Sequence, residues 1–197
     1  YFINNQELYK EDKKQDNITN YYVFRKAFSH EEIEYIKSIG TMNKLSKGLV
    51  PNVVDLTYRS SNISWIPLDS KTDWIYKKLN KLIDIANEDC WNLDLYNKTE
   101  NIQFSEYKAN EEGHYDWHLD LGDSSVNRKI SLTVQLSDSN DYTGGDLQFM
   151  TNRDVRTAPK EKGDVIIFPS YLLHKVNKIN SGTRHSLVLW RHGPGFK

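Results

Sequence analysis

The chain has 197 residues, with 26 Lys and Arg against 27 Asp and Glu and a formal net charge of −1. That length predicts a single domain over residues 1–197 with a core large enough to hold without crosslinks. The even charge lacks the basic footprint of a nucleic-acid binder, and no apolar run approaches the ~18 residues of a membrane-spanning helix. The only cysteine, Cys90, permits no intrachain disulfide and fits a reducing, cytoplasmic compartment.

Residues 1–20 are polar and charged and read as a loosely held terminal segment. Ser29-His30-Glu31-Glu32 is a capping box, in which Ser29 caps and Glu32 reaches back. It opens a helix carrying Ile33, Ile36 and Ile39, which Gly40 is expected to end. Residues 41–69 hold turn signals at Gly48, Pro51 and Pro67, so they are expected to be irregular with one strand at most. Within them, 41–66 form either a lid over a site or a loop packed on the barrel; Tyr58, Arg59 and Trp65 suit peptide contact. Ser70 and Asp73 open a second helix with Ile75, Leu79, Leu82, Ile83 and Ala86 on its apolar face, ending near Asn92. Cys90 falls in that pattern as a small core residue. From residue 101, short apolar runs alternate with Gly, Asp and Asn clusters, predicting strands over 102–108, 115–119, 129–136, 146–150, 164–169, 172–178 and 183–191. Turns are expected at Thr143-Gly144-Gly145-Asp146 and Glu161-Lys162-Gly163-Asp164. Helices first and many short strands after predict a mainly β, α+β chain: a barrel or jelly roll with helices packed on one side.

The chemistry concentrates in residues 113–120. Two His-x-Asp pairs occur there, His114-Tyr115-Asp116 and His118-Leu119-Asp120. On a strand, side chains at i and i+2 share a face, so one imidazole and one carboxylate can meet one metal. A second histidine from elsewhere completes a 2-His-1-carboxylate triad with open positions, the arrangement of non-haem Fe(II) oxygenases; the lack of cysteine ligands argues against structural zinc. The two pairs lie four residues apart, roughly 13 Å along a strand, and cannot share one ion. His118 and Asp120 sit at the strand end before the turn Gly122-Asp123-Ser124-Ser125, where a barrel opens to ligands, and are preferred. His114, just after Glu111-Glu112-Gly113, is assigned a surface or supporting role. The distal ligand candidate is His174, beyond the apolar run that closes at Pro169. Ten residues later, Arg184 shares a strand face with Ser186. A guanidinium matches a carboxylate, and in a barrel it is costly unless an anion pairs with it; a dicarboxylate co-substrate would supply that anion, and the alternative is a surface residue near the hairpin turn.

From about residue 101 to 192 the chain resembles the Fe(II)/2-oxoglutarate-dependent dioxygenases of the prolyl 4-hydroxylase type. The likeness rests on Tyr107, Gly113-x-Tyr115-x-x-His118-x-Asp120, the run from Arg128 to Leu136, Gly144-Gly145-Asp146-Leu147, Lys162-Gly163-Asp164, Phe168-Pro169-Ser170, His174, Arg184 and Trp190-Arg191-His192. It implies a double-stranded β-helix over 101–192, with helices of the first 100 residues buttressing its larger sheet. It implies a catalytic Fe(II) on His118, Asp120 and His174, 2-oxoglutarate held by Tyr107, Arg184 and Ser186, and a substrate pocket lined by Tyr115, Arg128, Trp190 and His192. Arg184 stands where many collagen-type enzymes use Lys, and Gln135 where some relatives have Tyr. The implied reaction hydroxylates a proline of a peptide or protein with dioxygen while 2-oxoglutarate becomes succinate and CO2, with ascorbate as an accompanying reductant. Neither a nucleic acid nor a membrane is an expected partner. Hydroxylation of a free amino acid or other small molecule is the alternative, favoured by a closed pocket where an open groove favours a peptide. A non-catalytic jelly-roll binding module needs the four polar positions to coincide by chance, and a zinc or manganese hydrolase leaves Arg184 without a purpose.

Overall fold

The computed structural model describes residues 20–43, 45–49, 54–97, 99–122, 127–152 and 154–195. The expected terminal segment up to residue 19, the turn residues 123–125 and positions 50–53 of the expected lid lie outside them.

In chain order the strands are β1 (Tyr22–Phe24), β2 (Ser46–Lys47), β3 (Arg59–Ser60), β4 (Asn62–Ile66), β5 (Ile102–Lys108), β6 (His114–His118), β7 (Arg128–Gln135), β8 (Tyr142–Gly144), β9 (Leu147–Met150), β10 (Val155–Thr157), β11 (Val165–Pro169), β12 (His174–Val176) and β13 (Ile179–His192); the helices are α1 (His30–Met42) and α2 (Asp73–Cys90). The larger sheet runs β1-β11-β7-β13-β5-β4-β2, with β8 also on β13, and the smaller runs β10-β9-β12-β6-β3. All pairings are antiparallel. This is the double-stranded β-helix, mainly β with two buttressing helices among the described residues.

Period-two alternation divides the larger sheet into two jobs. One face carries Ile102, Phe104, Ile130, Leu132, Val134, Val165, Ile167, Leu187 and Leu189, which pack with Ile33 and Ile36 of α1 and Ile75, Leu79, Leu82, Ile83 and Ala86 of α2. Each such buried aliphatic side chain contributes about 1.5–3 kcal/mol. The opposite face meets the smaller sheet, where Ile166 and Phe168 pack with Leu147, Phe149 and Val176.

The helix starts follow their local chemistry with one exception. The Ser29 hydroxyl accepts the Glu32 N–H at 3.2 Å while the Glu32 carboxylate accepts the Ser29 N–H at 2.8 Å, so the capping box forms. α1 does not end at Gly40 but runs to Met42. Gly40 serves packing instead: a Cβ there would lie 2.3 Å from the Phe104 ring. α2 starts after Thr72 rather than Ser70, and the Thr72 hydroxyl donates to the Pro67 carbonyl at 2.6 Å instead of capping.

The described residues of 41–69 hold three strands where one was expected. β4 extends the larger sheet beside β5, β2 pairs with β4, and β3 joins the smaller sheet beside β6. Of the described residues between 41 and 66, those of β2, β3 and β4 are thus built into the two sheets. The short strands β1, β8 and β10 were equally unmarked in sequence: three residues carry too little alternation to stand out. β13 begins at Ile179 rather than 183, because Gly182, at φ +75°, lets one strand pair with β8 before it turns onto β5 and β7. The strand expected over 172–178 narrows to His174–Val176, since a turn closed by the Leu172 N–H on the Pro169 carbonyl takes up the residues before it.

Candidate active site

β6 and β12 pair with His118 directly opposite His174. β6 ends at His118, so Asp120 lies beyond the strand and does not owe its direction to the pleat. It is drawn across to the larger sheet: its N–H donates to the Ser170 carbonyl at 2.9 Å, and its Oδ2 accepts the Ser131 hydroxyl at 2.8 Å. His118 Nε2 then stands 3.6 Å from Asp120 Oδ1, and His174 Nε2 stands 3.5 Å from Oδ2. One ligand atom from each of the three residues lies within 4.8 Å of the other two, a group able to hold a metal ion.

The protonation states suit that use. His118 Nδ1 faces the Asp116 carbonyl at 2.7 Å, and His174 Nδ1 faces the Leu172 carbonyl at 2.8 Å. A carbonyl only accepts, so each Nδ1 carries a proton, and in the neutral imidazole each Nε2 keeps its lone pair toward the shared point. Burial drives the His118 imidazole down to about 3, with His174 pushing the same way. Burial acts to raise the Asp120 carboxyl, but His174 and His118 outweigh it and hold it below the ordinary carboxylate range. A neutral imidazole beside an ionised carboxylate is the form a metal requires.

A pocket of about 950 Å³ opens over this group. Arg184 lines it, 2% exposed, opposite Tyr107 in the β13–β5 register. Its guanidinium donates to Gln135 Oε1 at 3.0 Å and Ser186 Oγ at 3.4 Å and lies 5.4 Å from the Tyr107 ring centre. Those partners are all neutral, and an uncompensated buried guanidinium is costly. The chemistry of the position therefore fits a bound carboxylate, and Tyr107, Ser186 and Gln135 stand beside it.

Three of the four expected substrate-side residues, Tyr115, Arg128 and Trp190, line the pocket, whereas His192 is not among its lining residues and is tied to it through Glu100. The Tyr115 ring stacks on His118 at 3.5 Å between centres, Arg59 lies over its other side at 4.5 Å, and burial pushes its phenol up to about 12. Arg128 lies 3.9 Å over the Trp190 ring, and its Nε and Nη2 each donate to a Glu100 oxygen at 2.6 Å. His192 Nε2 also meets Glu100, at 2.7 Å. Burial acts to raise the Glu100 carboxyl, but Arg128 and His192 hold it below its ordinary value. Among the described residues, Glu100 thus fixes two of the four; it lies just before the strand texture begins and gave no sequence signal. The buried Trp190 indole N–H has no acceptor of normal geometry, though it lies near enough to Asp120 to help hold that carboxyl down. Tyr58 donates to the Trp117 carbonyl and packs edge-on against Tyr115. Leu49, Val54 and Leu119 line the mouth, each about half exposed. His114 turns away, Nδ1 to the Glu112 carbonyl at 2.7 Å and Nε2 to the Thr57 carbonyl at 3.1 Å.

A fold of this kind with two imidazoles and a carboxylate at its mouth defines a class, and sequence comparison gives the same class. Residues 102–192 match the model of the 2OG-Fe(II) oxygenase superfamily. Over that stretch the chain is similar to a superfamily whose members use Fe(II) and 2-oxoglutarate, and the relatives it matches are of the PKHD and prolyl-hydroxylase type. It is 37% identical over 94 residues to a PKHD-type hydroxylase of Prochlorococcus marinus, covering 47% of this chain and 42% of that one. It is 31% identical over 85 residues to a PKHD-type hydroxylase of Pseudomonas aeruginosa, covering 40% and 38%. The matches span about two fifths of the length of these relatives. Among solved structures, a prolyl-4-hydroxylase of Pseudomonas putida shares the fold with a TM-score of 0.71 at 18% identity, over 89% of this chain and 94% of that one. A prolyl hydroxylase of Trichoplax adhaerens, solved with a hypoxia inducible factor peptide fragment, gives 0.72 at 16%, over 88% and 84%.

Proposed function

We propose that the protein hydroxylates a proline residue of a peptide or protein in the cytoplasm, with Fe(II) held by His118, Asp120 and His174. The observation that carries this is the convergence of one ligand atom each from His118, Asp120 and His174 within 4.8 Å of one another, in a pocket that also holds a buried guanidinium whose partners among the described residues are neutral. In the proposed reaction 2-oxoglutarate, dioxygen and a C–H group give succinate, CO2 and a C–OH group. When bound, the iron and 2-oxoglutarate supply the oxidising chemistry, with ascorbate keeping the metal ferrous. The side chains supply orientation. Arg184 binds the distal carboxylate of 2-oxoglutarate through charge-assisted bonds, with the Ser186 and Tyr107 hydroxyls alongside. The backbone carbonyls of Asp116 and Leu172 keep both ligand imidazoles turned inward. Tyr115, Trp190 and Arg128 form the wall that receives the target ring, with Glu100 holding Arg128 and His192 in place.

The peptide reading over a small-molecule one is supported by the mouth. Leu49, Val54 and Leu119 present half-exposed apolar surface around the opening, which a free amino acid does not reach and flanking peptide residues do. The Trichoplax neighbour with its bound peptide supports the same choice. The test is incubation of the protein with Fe(II), ascorbate, 2-oxoglutarate and a panel of proline-containing peptides, read by mass spectrometry. A gain of one oxygen on proline with matching succinate is expected. Iron-dependent succinate formation with oxygen added only to free amino acids moves the substrate to the small-molecule class, and no iron-dependent succinate at all overturns the reading.

A further inference from the structure

Resting on the iron assignment above, we propose that Ser131, backed by Ser170, is a positioning residue that sets how the Asp120 carboxylate meets Fe(II). Asp120 needs such a device because it lies past the end of β6 and no strand ladder fixes its side chain. The larger sheet provides one. On β7, Ile130 and Leu132 face the helices, so Ser131 between them faces the pocket side. β11 pairs alongside with Phe168 opposite Ser131 and Pro169 opposite Ile130, which brings Ser170 to the same place. Both serines are fully buried. An ionised carboxylate only accepts, so the Ser131 hydroxyl donates to Asp120 Oδ2 at 2.8 Å. That leaves the Ser131 oxygen as the acceptor in its 3.0 Å contact with Ser170, whose hydroxyl must therefore donate. The result is a directed chain, Ser170 to Ser131 to Asp120, in a dry site where successive hydrogen bonds strengthen one another. The Ser170 backbone completes the grip by accepting the Asp120 N–H at 2.9 Å.

The consequence is a division of labour between the two carboxylate oxygens. Oδ2 takes the serine chain and also lies 3.5 Å from His174 Nε2, while Oδ1, 3.6 Å from His118 Nε2, accepts from neither serine and would be the oxygen offered to a metal. A carboxylate free to rotate can close on an ion with both oxygens and fill a position that must stay open; one tied through Oδ2 ligates through a single oxygen and keeps half the coordination sphere available, as the 2-His-1-carboxylate arrangement requires. Side chains that orient a ligand in this way commonly change metal affinity ~10–100-fold when removed.

The experiment measures Fe(II) affinity of the full chain without oxygen, by competition with a chelator, together with the absorption spectrum of the Co(II)-loaded protein as a report on coordination number. Ser131→Ala is expected to weaken Fe(II) binding at least ~10-fold and to alter the Co(II) spectrum. Ser131→Thr, which keeps the hydroxyl, restores both. Ser170→Ala, which removes only the backing donor, has a smaller effect in the same direction. Ser64→Ala is the control: that hydroxyl is equally buried but donates to the Gly40 carbonyl at 2.6 Å, away from the site, and its loss leaves both readouts unchanged. Wild-type affinity and spectrum in Ser131→Ala overturn the proposal. So does a loss in Ser64→Ala equal to that in Ser131→Ala, since the effect is then general softening. If Ser131→Ala does not fold, Ser170→Ala decides, and an unchanged affinity there overturns it. A wild-type protein that binds no Fe(II) defeats the iron assignment itself, whereas tight wild-type binding with indifferent variants defeats only the serine chain.

Discussion

β13 has two faces, and they differ less in burial than in whether their polar groups are satisfied. On the helix side Leu187 and Leu189 are fully buried. The two polar residues of that face have partners: His185 stacks on Phe104 and meets Glu106 at 3.3 Å, and Arg191 donates to Asn80 at 2.6 Å and to the Tyr96 carbonyl. On the pocket side Arg184, Ser186 and Trp190 are equally buried, yet among the described residues Arg184 has only neutral partners and the Trp190 N–H finds no acceptor of normal geometry. A finished interior satisfies its polar groups. The unfinished face is therefore where the molecule leaves room for something else, and the helix side is the part that holds the sheet together.

The largest effect that separates the faces is loss of function without loss of fold. His118→Ala or Asp120→Ala is expected to abolish iron-dependent succinate formation while thermal melting stays near wild type. Leu187→Ala is expected to do the reverse, costing ~2–5 kcal/mol of stability while the folded fraction keeps its Fe(II) affinity. Calorimetry and turnover measured on the same samples test this, and parallel losses in both variants would erase the distinction. Next in size is Arg184→Met, which keeps the volume and removes the charge. One lost charge-assisted contact of ~1.5–3 kcal/mol raises the 2-oxoglutarate KM roughly 10–150-fold. The same change removes a buried charge that has no anion, so the ligand-free melting temperature should hold or rise. 2-Oxoglutarate should stabilise the wild type and not the variant. A fall in melting temperature with an unchanged KM would reassign Arg184 to the structural face.

How much of this was legible in sequence depended on whether the signal was local. The Ser29–Glu32 box, the apolar face of α2 and the apolar run of β11 are local patterns, and each appears where its pattern stands. The order His118, Asp120, His174, Arg184 was legible because the residue types themselves are unusual together. What stayed hidden was long-range. Glu100 clamps Arg128 across 28 positions and His192 across 92, and a lone glutamate carries no mark of either. Ser131 and Ser170 reach Asp120 only because β7 and β11 pair. Gly40 was misread for the same reason, its purpose being the ring of Phe104 on another element. His118 and Asp120 do converge, but through hydrogen bonds beyond the strand end rather than through the shared strand face that their i, i+2 spacing predicts.

A smaller effect probes both faces through pH. Burial lowers the pKa of His118 on the pocket side and of His185 on the helix side. In the unfolded chain each imidazole takes up a proton near pH 6.5, whereas the folded state resists it. Stability is then fully present above about pH 6.5 and is lost as pH falls from there toward the depressed folded values, because the unfolded state binds more protons over that interval. Urea midpoints of the metal-free protein should therefore drop between pH 7.5 and 5.5. His185→Gln and His118→Gln should each flatten the drop, and a drop unaffected by either would place its cause in other groups.

The smallest effect expected is that of His114→Ala, and it tests which His-x-Asp pair does the chemistry. His114 opens β6 four residues before His118. Its Nδ1 faces the Glu112 carbonyl and its Nε2 the Thr57 carbonyl, so neither nitrogen points toward Asp120. A neutral imidazole has one N–H and can satisfy only one of those carbonyls. What is lost is thus about one hydrogen bond, on the order of 1 kcal/mol, spent tethering the segment around Thr57 to the strand start. Because that segment carries Tyr58 and Arg59, which pack against Tyr115, a modest rise in peptide KM is the expected trace, with the 2-oxoglutarate KM and Fe(II) affinity unchanged. Should His114→Ala abolish iron binding while His118→Ala spares it, the metal belongs to the other pair, and the face of β6 that meets His174 is not the reactive one.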